Sequence, residues 1–190
     1  MRCLLRLKKN GIPTISSEAL ARAAGVKSTQ LRKDLTYFGQ FGTRGLGYDV
    51  EQLASMISNL LGTNSLQPVA LVGVGNMGAA LLSYRGFEEE GFEIVAAFDS
   101  AVSAARRRTR FKAIYRMEEL AEITARDSIR MAILTVPVVA AQEVANRLVL
   151  AGISGILNFA PIVLQVPDEV MVNNVNVAIE LENLSYFIQV

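Results

Sequence analysis

The stretch from Val69 to Leu81, VALVGVGNMGAAL, restricts the fold more than any other part of the chain. Four apolar residues in a row suit a strand covered on both faces. Three glycines in a G-x-G-x-x-G spacing follow, and then a helix-forming run. A strand that passes straight into a helix through such a turn is the first half of a βαβ unit in a parallel sheet. Gly73 allows the tight turn, Gly75 lets a ligand reach the backbone, and Gly78 lets helix and strand approach closely. Val74, Asn76 and Met77 fill the turn, and the helix N-terminus offers free N–H groups and positive potential to a pyrophosphate.

An acid at the right distance strengthens this reading. Asp99 stands twenty-one residues after Gly78 and closes the apolar run EIVAAFD, where a carboxylate can bind ribose hydroxyls and repel a 2′-phosphate. NADH and NAD⁺ are therefore favoured over their phosphorylated forms. Arg106, Arg107, Arg108 and Arg110 form a cationic cluster downstream that could hold a phosphate, or could be a solvated loop.

From Val69 onward, apolar runs alternate with helical patterns: 69–72, 79–84, 94–98, 117–123, 129–136, 138–150 and 155–157. Such alternation predicts an α/β architecture, a Rossmann-like parallel sheet with helices on both faces. The tail VNVAIELENLSYFI (175–188) reads as a helix apolar around most of its circumference. A helix of that kind must be buried on several sides, against its own domain or in a dimer interface.

The first quarter of the chain differs in charge. Of 19 basic and 18 acidic residues, residues 1–49 hold nine basic and three acidic, which leaves ten basic and fifteen acidic for the rest. This asymmetry suggests a small nucleic-acid-binding module joined to a mildly acidic body, although a solvated basic face would look the same. Residues 16–38 read as two short helices. Ser16 or Ser17 caps the first, Gly25 turns the chain in a left-handed conformation, and Ser28 caps the second. Leu31, Leu35 and Phe38 fall on one face and should point inward, leaving Thr29, Gln30, Arg32, Lys33, Thr36 and Tyr37 outward. That set suits phosphates and base edges, so a helix-turn-helix with its second helix in the major groove is expected. Residues 41–48, FGTRGLGY, suit a two-stranded wing carrying Arg44 toward the minor groove. A helix from Tyr48 to Leu61, capped by Asp49 and stopped by Gly62, closes the module, and the polar connector TNSLQP (63–68) marks a domain boundary.

Other chemistry is poorly supported. With one cysteine and no histidine, neither an internal disulfide nor a thiolate–imidazole metal site can form, so no metal is expected. No run has the length or apolarity of a signal peptide or a membrane span, and a reducing cytoplasm is the expected compartment. A hydride-transfer enzyme needs a proton donor or acceptor beside the ring. Histidine is absent, and no lysine follows Tyr84 at four residues, so no catalytic residue is assigned.

These motifs resemble the Rex family of redox-sensing transcriptional repressors. The likeness lies in 30–39 (QLRKDLTYFG), 41–50 (FGTRGLGYDV), 73–78, 84–87 (YRGF), 132–137 (AILTVP), 155–161 (GILNFAP) and 178–186 (AIELENLSY). It implies a winged-helix DNA-binding domain over 1–62, a Rossmann NAD(H)-binding domain over 68–172, and a dimerisation helix over 173–190 exchanged between subunits of a homodimer. It further implies that Arg32, Lys33 and Arg44 contact operator double-stranded DNA. Gly73, Gly75, Gly78 and Asp99 would hold the adenosine and pyrophosphate side. Thr135, Val136, Pro137, Asn158, Phe159 and Ala160 would line the dinucleotide, with Tyr84 and Phe87 toward the nicotinamide. Two positions depart from the family pattern: Met1 falls inside the first helix, and Asn176 replaces a common aspartate. The expected consequence is an altered redox response or a chain shortened at its start. The expected function is a repressor released from its operator by NADH. The alternatives are an NAD-dependent oxidoreductase with a basic accessory domain and a binding module for another adenosine ligand such as coenzyme A.

Overall fold

The protein is described by a computed structural model that covers residues 1–39, 42, 46–100 and 113–188. Its contacts divide the chain into two units, 1–65 and 66–190.

The first unit holds helices α1 (Arg2–Lys9), α2 (Ser17–Ala24), α3 (Ser28–Phe38) and α4 (Val50–Leu61). Strands β1 (Thr14–Ile15) and β2 (Tyr48–Asp49) pair antiparallel. Ser16 Oγ accepts from the Ala19 N–H and begins α2; Gly25 ends it at φ +70°, a conformation that favours glycine. Asp49 Oδ1 accepts from the Gln52 N–H at 2.8 Å and begins α4, and Gly62 ends that helix. The start of α3 differs from expectation. Ser28 is the first helical residue, and the cap position belongs to Lys27, which makes no side-chain capping bond. Leu4, Leu20, Leu35, Tyr48, Val50 and Leu53 form the core of the unit. Phe38 stays outside that core with 54% of its surface exposed, and meets Tyr37 edge-on instead of pointing inward.

The second unit is built on a six-stranded, all-parallel sheet in the order β5-β4-β3-β6-β7-β8, as the alternating pattern predicts. Its strands are β3 (Gln67–Val72), β4 (Phe92–Asp99), β5 (Ile114–Arg116), β6 (Met131–Leu134), β7 (Gly155–Asn158) and β8 (Met171–Asn174). Its helices are α5 (Asn76–Ser83), α6 (Gly86–Glu89), α7 (Leu120–Arg126), α8 (Val138–Leu150) and α9 (Val177–Ile188). Alternation along β3 sends Ala70 and Val72 into a core shared with α7 and α8, and Val69 and Leu71 into one shared with Leu81, Leu82 and Phe87. Each Leu or Val so buried contributes about 1.5–3 kcal/mol. Strands β5 and β8, at the two edges, went unread in the sequence: IYR is short, and MVNN carries two asparagines, which strands disfavour.

The tail helix lacks one of the two coverings expected for it. Val177, Ile179, Leu181, Leu184, Tyr186, Phe187 and Ile188 remain 49 to 82% exposed, so α9 does not pack its apolar surface on its own domain. Among the described residues no helix is long and apolar enough to cross a membrane.

Candidate functional site

The strand order reverses direction between β3 and β6, and the crevice beyond their carboxyl ends is where open α/β sheets bind ligands. The glycine turn lies there. Gly73 has φ +96°, and an added Cβ would stand 2.7 Å from the Thr135 carbonyl oxygen; at Gly78 a Cβ would collide with the Gly73 oxygen. Both are therefore confined to glycine by the packing of turn, strand and helix. Gly75 differs: its φ is −73° and nothing lies within 4 Å of its added Cβ. Gly75 thus faces open space at the start of α5, whose first turn has no side-chain cap. Its leading amides point to where an anion would sit, and the site fits a pyrophosphate.

Two neighbouring strands hold the turn in place. From β4, Asp99 Oδ2 accepts from the Val74 N–H at 2.7 Å. From the end of β6, the Thr135 hydroxyl donates to the Gly73 oxygen at 2.7 Å and lies 3.1 Å from the Val72 oxygen, while the Thr135 N–H continues the ladder to Val72. Asp99, expected from its spacing to meet the ribose, is thus also a clamp on the glycine turn. Its spacing could predict only the first role. Asn76 and Met77 are exposed on the turn, and Val136 is half-buried and Pro137 exposed beside it.

Asn158 departs from a lining role. Its side chain is 0% exposed and is spent inside the loop that follows β7. Its Oδ1 accepts from the Ala160 N–H at 2.9 Å; its Nδ2 lies 3.1 Å from the Ala160 oxygen, 2.9 Å from the Ile162 oxygen and 2.8 Å from Asn174 Oδ1. Asn174 was missed in the sequence because it sits in the unread strand β8. Phe159 is half-buried and Ala160 buried.

Tyr84 and Phe87 are not gathered with the turn. They follow the C-terminus of α5, whose eight residues span about 12 Å. They meet edge-on at 5.1 Å and, with Leu82, Arg85, Glu88 and Ile94, line a separate cleft of about 360 Å³.

In the first unit, α3 exposes Thr29, Gln30, Arg32, Lys33, Thr36 and Tyr37, the last by 87%. Gln30 Nε2 donates to Asp34 Oδ1 at 2.6 Å, Arg32 Nε to the Ser28 oxygen at 3.3 Å, and the Thr36 hydroxyl to the Arg32 oxygen at 2.7 Å. These bonds run along the helix and hold the polar side chains on its outer face. Arg44 and the Arg106–Arg110 cluster lie outside the described residues.

Comparison with known proteins places both units. A family model for a CoA binding domain matches residues 64–162, and one named "Putative DNA-binding protein N-terminus" matches residues 1–36. A redox-sensing transcriptional repressor Rex of Pelotomaculum thermopropionicum is 45% identical over 97% of this chain and 87% of its own length. That of Streptomyces coelicolor is 45% identical over 98% and 72%. Among solved structures, RSP in complex with β-NAD⁺ and operator DNA has a TM-score of 0.89 and 38% identity, covering 98% of this chain and 86% of that one. RSP in complex with β-NADH has a TM-score of 0.83 and 36% identity, covering 98% and 87%.

Proposed function

The chain belongs to the Rex family of redox-sensing transcriptional repressors, and from that premise we propose that it represses transcription by binding operator DNA and is released when its Rossmann unit takes up NADH. The observation that carries this is the full-length likeness to RSP, which has been seen with β-NAD⁺ on operator DNA and with β-NADH.

Residues 1–62 serve as the reading module, 68–172 as the cofactor domain and 173–190 as the dimerisation helix. Helix α3 enters the major groove, with Thr29, Gln30 and Tyr37 positioned for bases and phosphates and Arg32 and Lys33 for phosphates. Arg44 is assigned to the wing. Gly73, Gly75 and Gly78 with the amides of Asn76 and Met77 hold the pyrophosphate, Val74 keeps the turn in shape through its N–H to Asp99, and Asp99 also holds the adenosine ribose. Thr135, Val136, Pro137, Phe159 and Ala160 line the remainder, and Asn158 shapes their loop. Tyr84, 59% exposed, and Phe87 are assigned to the ring across a homodimer, not within one chain. When bound, the dinucleotide supplies a ring that is cationic if oxidised and neutral if reduced. An apolar surrounding disfavours the cation, which gives the site a physical basis for telling the forms apart.

The homodimer reading rests on α9, whose exposed apolar surface asks for a second copy. Two reading modules then address the half-sites of a palindrome. Regulation requires NADH to bind the released state better than the DNA-bound state, since equal affinity shifts nothing. A coupling of about 1–3 kcal/mol, a 5- to 150-fold change, is usual. Its relatives are named repressors, and in a chain without histidine we assign no hydride chemistry; acting on DNA, it works in the cytoplasm.

The test is fluorescence anisotropy of a labelled operator duplex titrated with NADH and then with NAD⁺. NADH should release the duplex and excess NAD⁺ should restore binding. Equal effects of the two forms would overturn redox sensing, no effect of either would overturn cofactor control, and steady NADH consumption with simple carbonyls would overturn the non-enzymatic reading.

A further inference from the structure

The cofactor loop and the exposed tail helix lie on consecutive parts of the sheet, and one buried side chain joins them. We infer that the Asn158–Asn174 amide pair is a positioning device that couples occupancy of the nucleotide site to the placement of α9; this rests on the function proposed above.

Asn158 Nδ2 carries two hydrogens, yet three oxygens surround it within 3.1 Å: those of Ala160 and Ile162 on the cofactor side, and Oδ1 of Asn174 on the helix side. The donor is over-subscribed. A movement of the 160–162 loop that strengthens its claim on Nδ2 weakens the bond to Asn174, and a retreat of the loop does the reverse. Asn158 is wholly buried, so the exchange takes place among these partners.

The far side of the pair leads directly to α9. Asn174 is paired in register with Asn158, and the Val175 N–H donates to the Asn158 oxygen at 2.8 Å. Asn176 follows and caps the helix, its Oδ1 accepting from the Ala178 N–H at 3.0 Å and its carbonyl oxygen from the Glu180 N–H at 3.4 Å. Two residues therefore separate Asn174 from the first residue of α9. With the apolar face of α9 unpacked in its own chain, this root is what fixes its direction. Asn174 is exposed, so its loss should not empty the core.

The experiment uses the full chain and a labelled duplex selected on the wild type from a random-sequence pool. The quantity read is the factor by which saturating NADH weakens duplex binding. In Asn174→Ala that factor should fall at least threefold. Duplex affinity without cofactor and NADH affinity of the free protein should each stay within twofold. Asn174→Asp, which keeps an oxygen facing Nδ2, should retain the wild-type factor. Asn174→Ser, whose shorter side chain withdraws that oxygen, repeats the test if Asn174→Ala does not fold. An unchanged factor in a folded Ala or Ser variant would overturn the coupling. A parallel loss of NADH affinity in the free protein would overturn it too, as ordinary damage to the pocket. An NADH effect missing from the wild type would instead defeat the function reading beneath it.

Discussion

The glycine turn and the tail helix are opposites in how they are held. The turn is fixed by its own chain on three sides: Asp99 from β4, Thr135 from β6, and the packing of Gly78 on the Gly73 carbonyl. Among the described residues, helix α9 is fixed by its own chain at its root alone, and its apolar side chains stand exposed. A single copy can therefore build the cradle for a dinucleotide. It leaves the apolar side chains of α9 uncovered. In the homodimer proposed above, one chain holds the adenosine and pyrophosphate side, and the second copy contributes to the ring's surroundings and covers α9.

The largest expected effect tests whether the cradle is as self-contained as it looks. In Gly78→Ala the new Cβ meets the Gly73 oxygen, so turn and helix must part. Such overpacking costs about 1–3 kcal/mol, seen as a lower melting temperature, and NADH binding should be lost. Gly75→Ala is its counterpart. Its Cβ enters open space, so the melting temperature should not move, while NADH affinity falls by tenfold or more, about 1.4 kcal/mol per tenfold. Equal behaviour of the two variants would show that the open side of Gly75 is not where the pyrophosphate lies.

Next in size is the other side of the comparison. Leu181→Asp or Leu184→Asp places a charge on the exposed face of α9 and removes a side chain worth about 1.5–3 kcal/mol when buried. Sedimentation should show a dimer weakened at least tenfold, with operator binding lost alongside it. If the cradle belongs to one chain, the adenosine half of the site should still bind AMP in the resulting monomer. Loss of AMP binding would erase the distinction between the two regions.

The same contrast explains what could be read in the sequence. The turn was legible because its chemistry is local: G-V-G-N-M-G between a strand and a helix, with Asp99 one strand later, needs no knowledge of distant packing. The caps at Ser16, Gly25, Asp49 and Gly62 were legible for that reason too. The tail was legible as a helix, but its spacing could not say what covers it. Asn158 and Asn174 show the limit more clearly. Sixteen residues apart, they meet only because β7 and β8 run parallel in register, and β8 has neither the length nor the composition that announces a strand. Phe38 sits at the spacing of an inward residue, yet the small core of the first unit is filled without it.

A smaller effect is expected at Asp99. Replacing the carboxylate by the amide in Asp99→Asn keeps an oxygen for the Val74 N–H, so the turn should hold and the protein should melt normally. The negative charge that disfavours a 2′-phosphate is gone. The preference for NADH over NADPH, measured by calorimetry, should shrink by about tenfold, or 1.4 kcal/mol. A turn that fails in this variant would mean that charge, and not only hydrogen bonding, keeps the cradle closed.

The smallest effect is the most discriminating, because it touches the turn without adding volume or charge. Thr135→Val removes the hydroxyl that donates to the Gly73 oxygen but keeps the side chain's shape, and the backbone N–H of residue 135 still reaches Val72. A net hydrogen bond of this kind is worth about 0.5–1.5 kcal/mol, so NADH affinity should fall by less than about tenfold. Thr135→Ser keeps the donor and should bind as the wild type does. Neither change touches α9, which in the proposed homodimer is covered by a second copy. The dimer should therefore be unaffected in both. A dimer weakened by Thr135→Val alone would mean that the turn and the tail share a support besides the asparagine pair, and the contrast between a self-held cradle and a partner-held helix would have to be withdrawn.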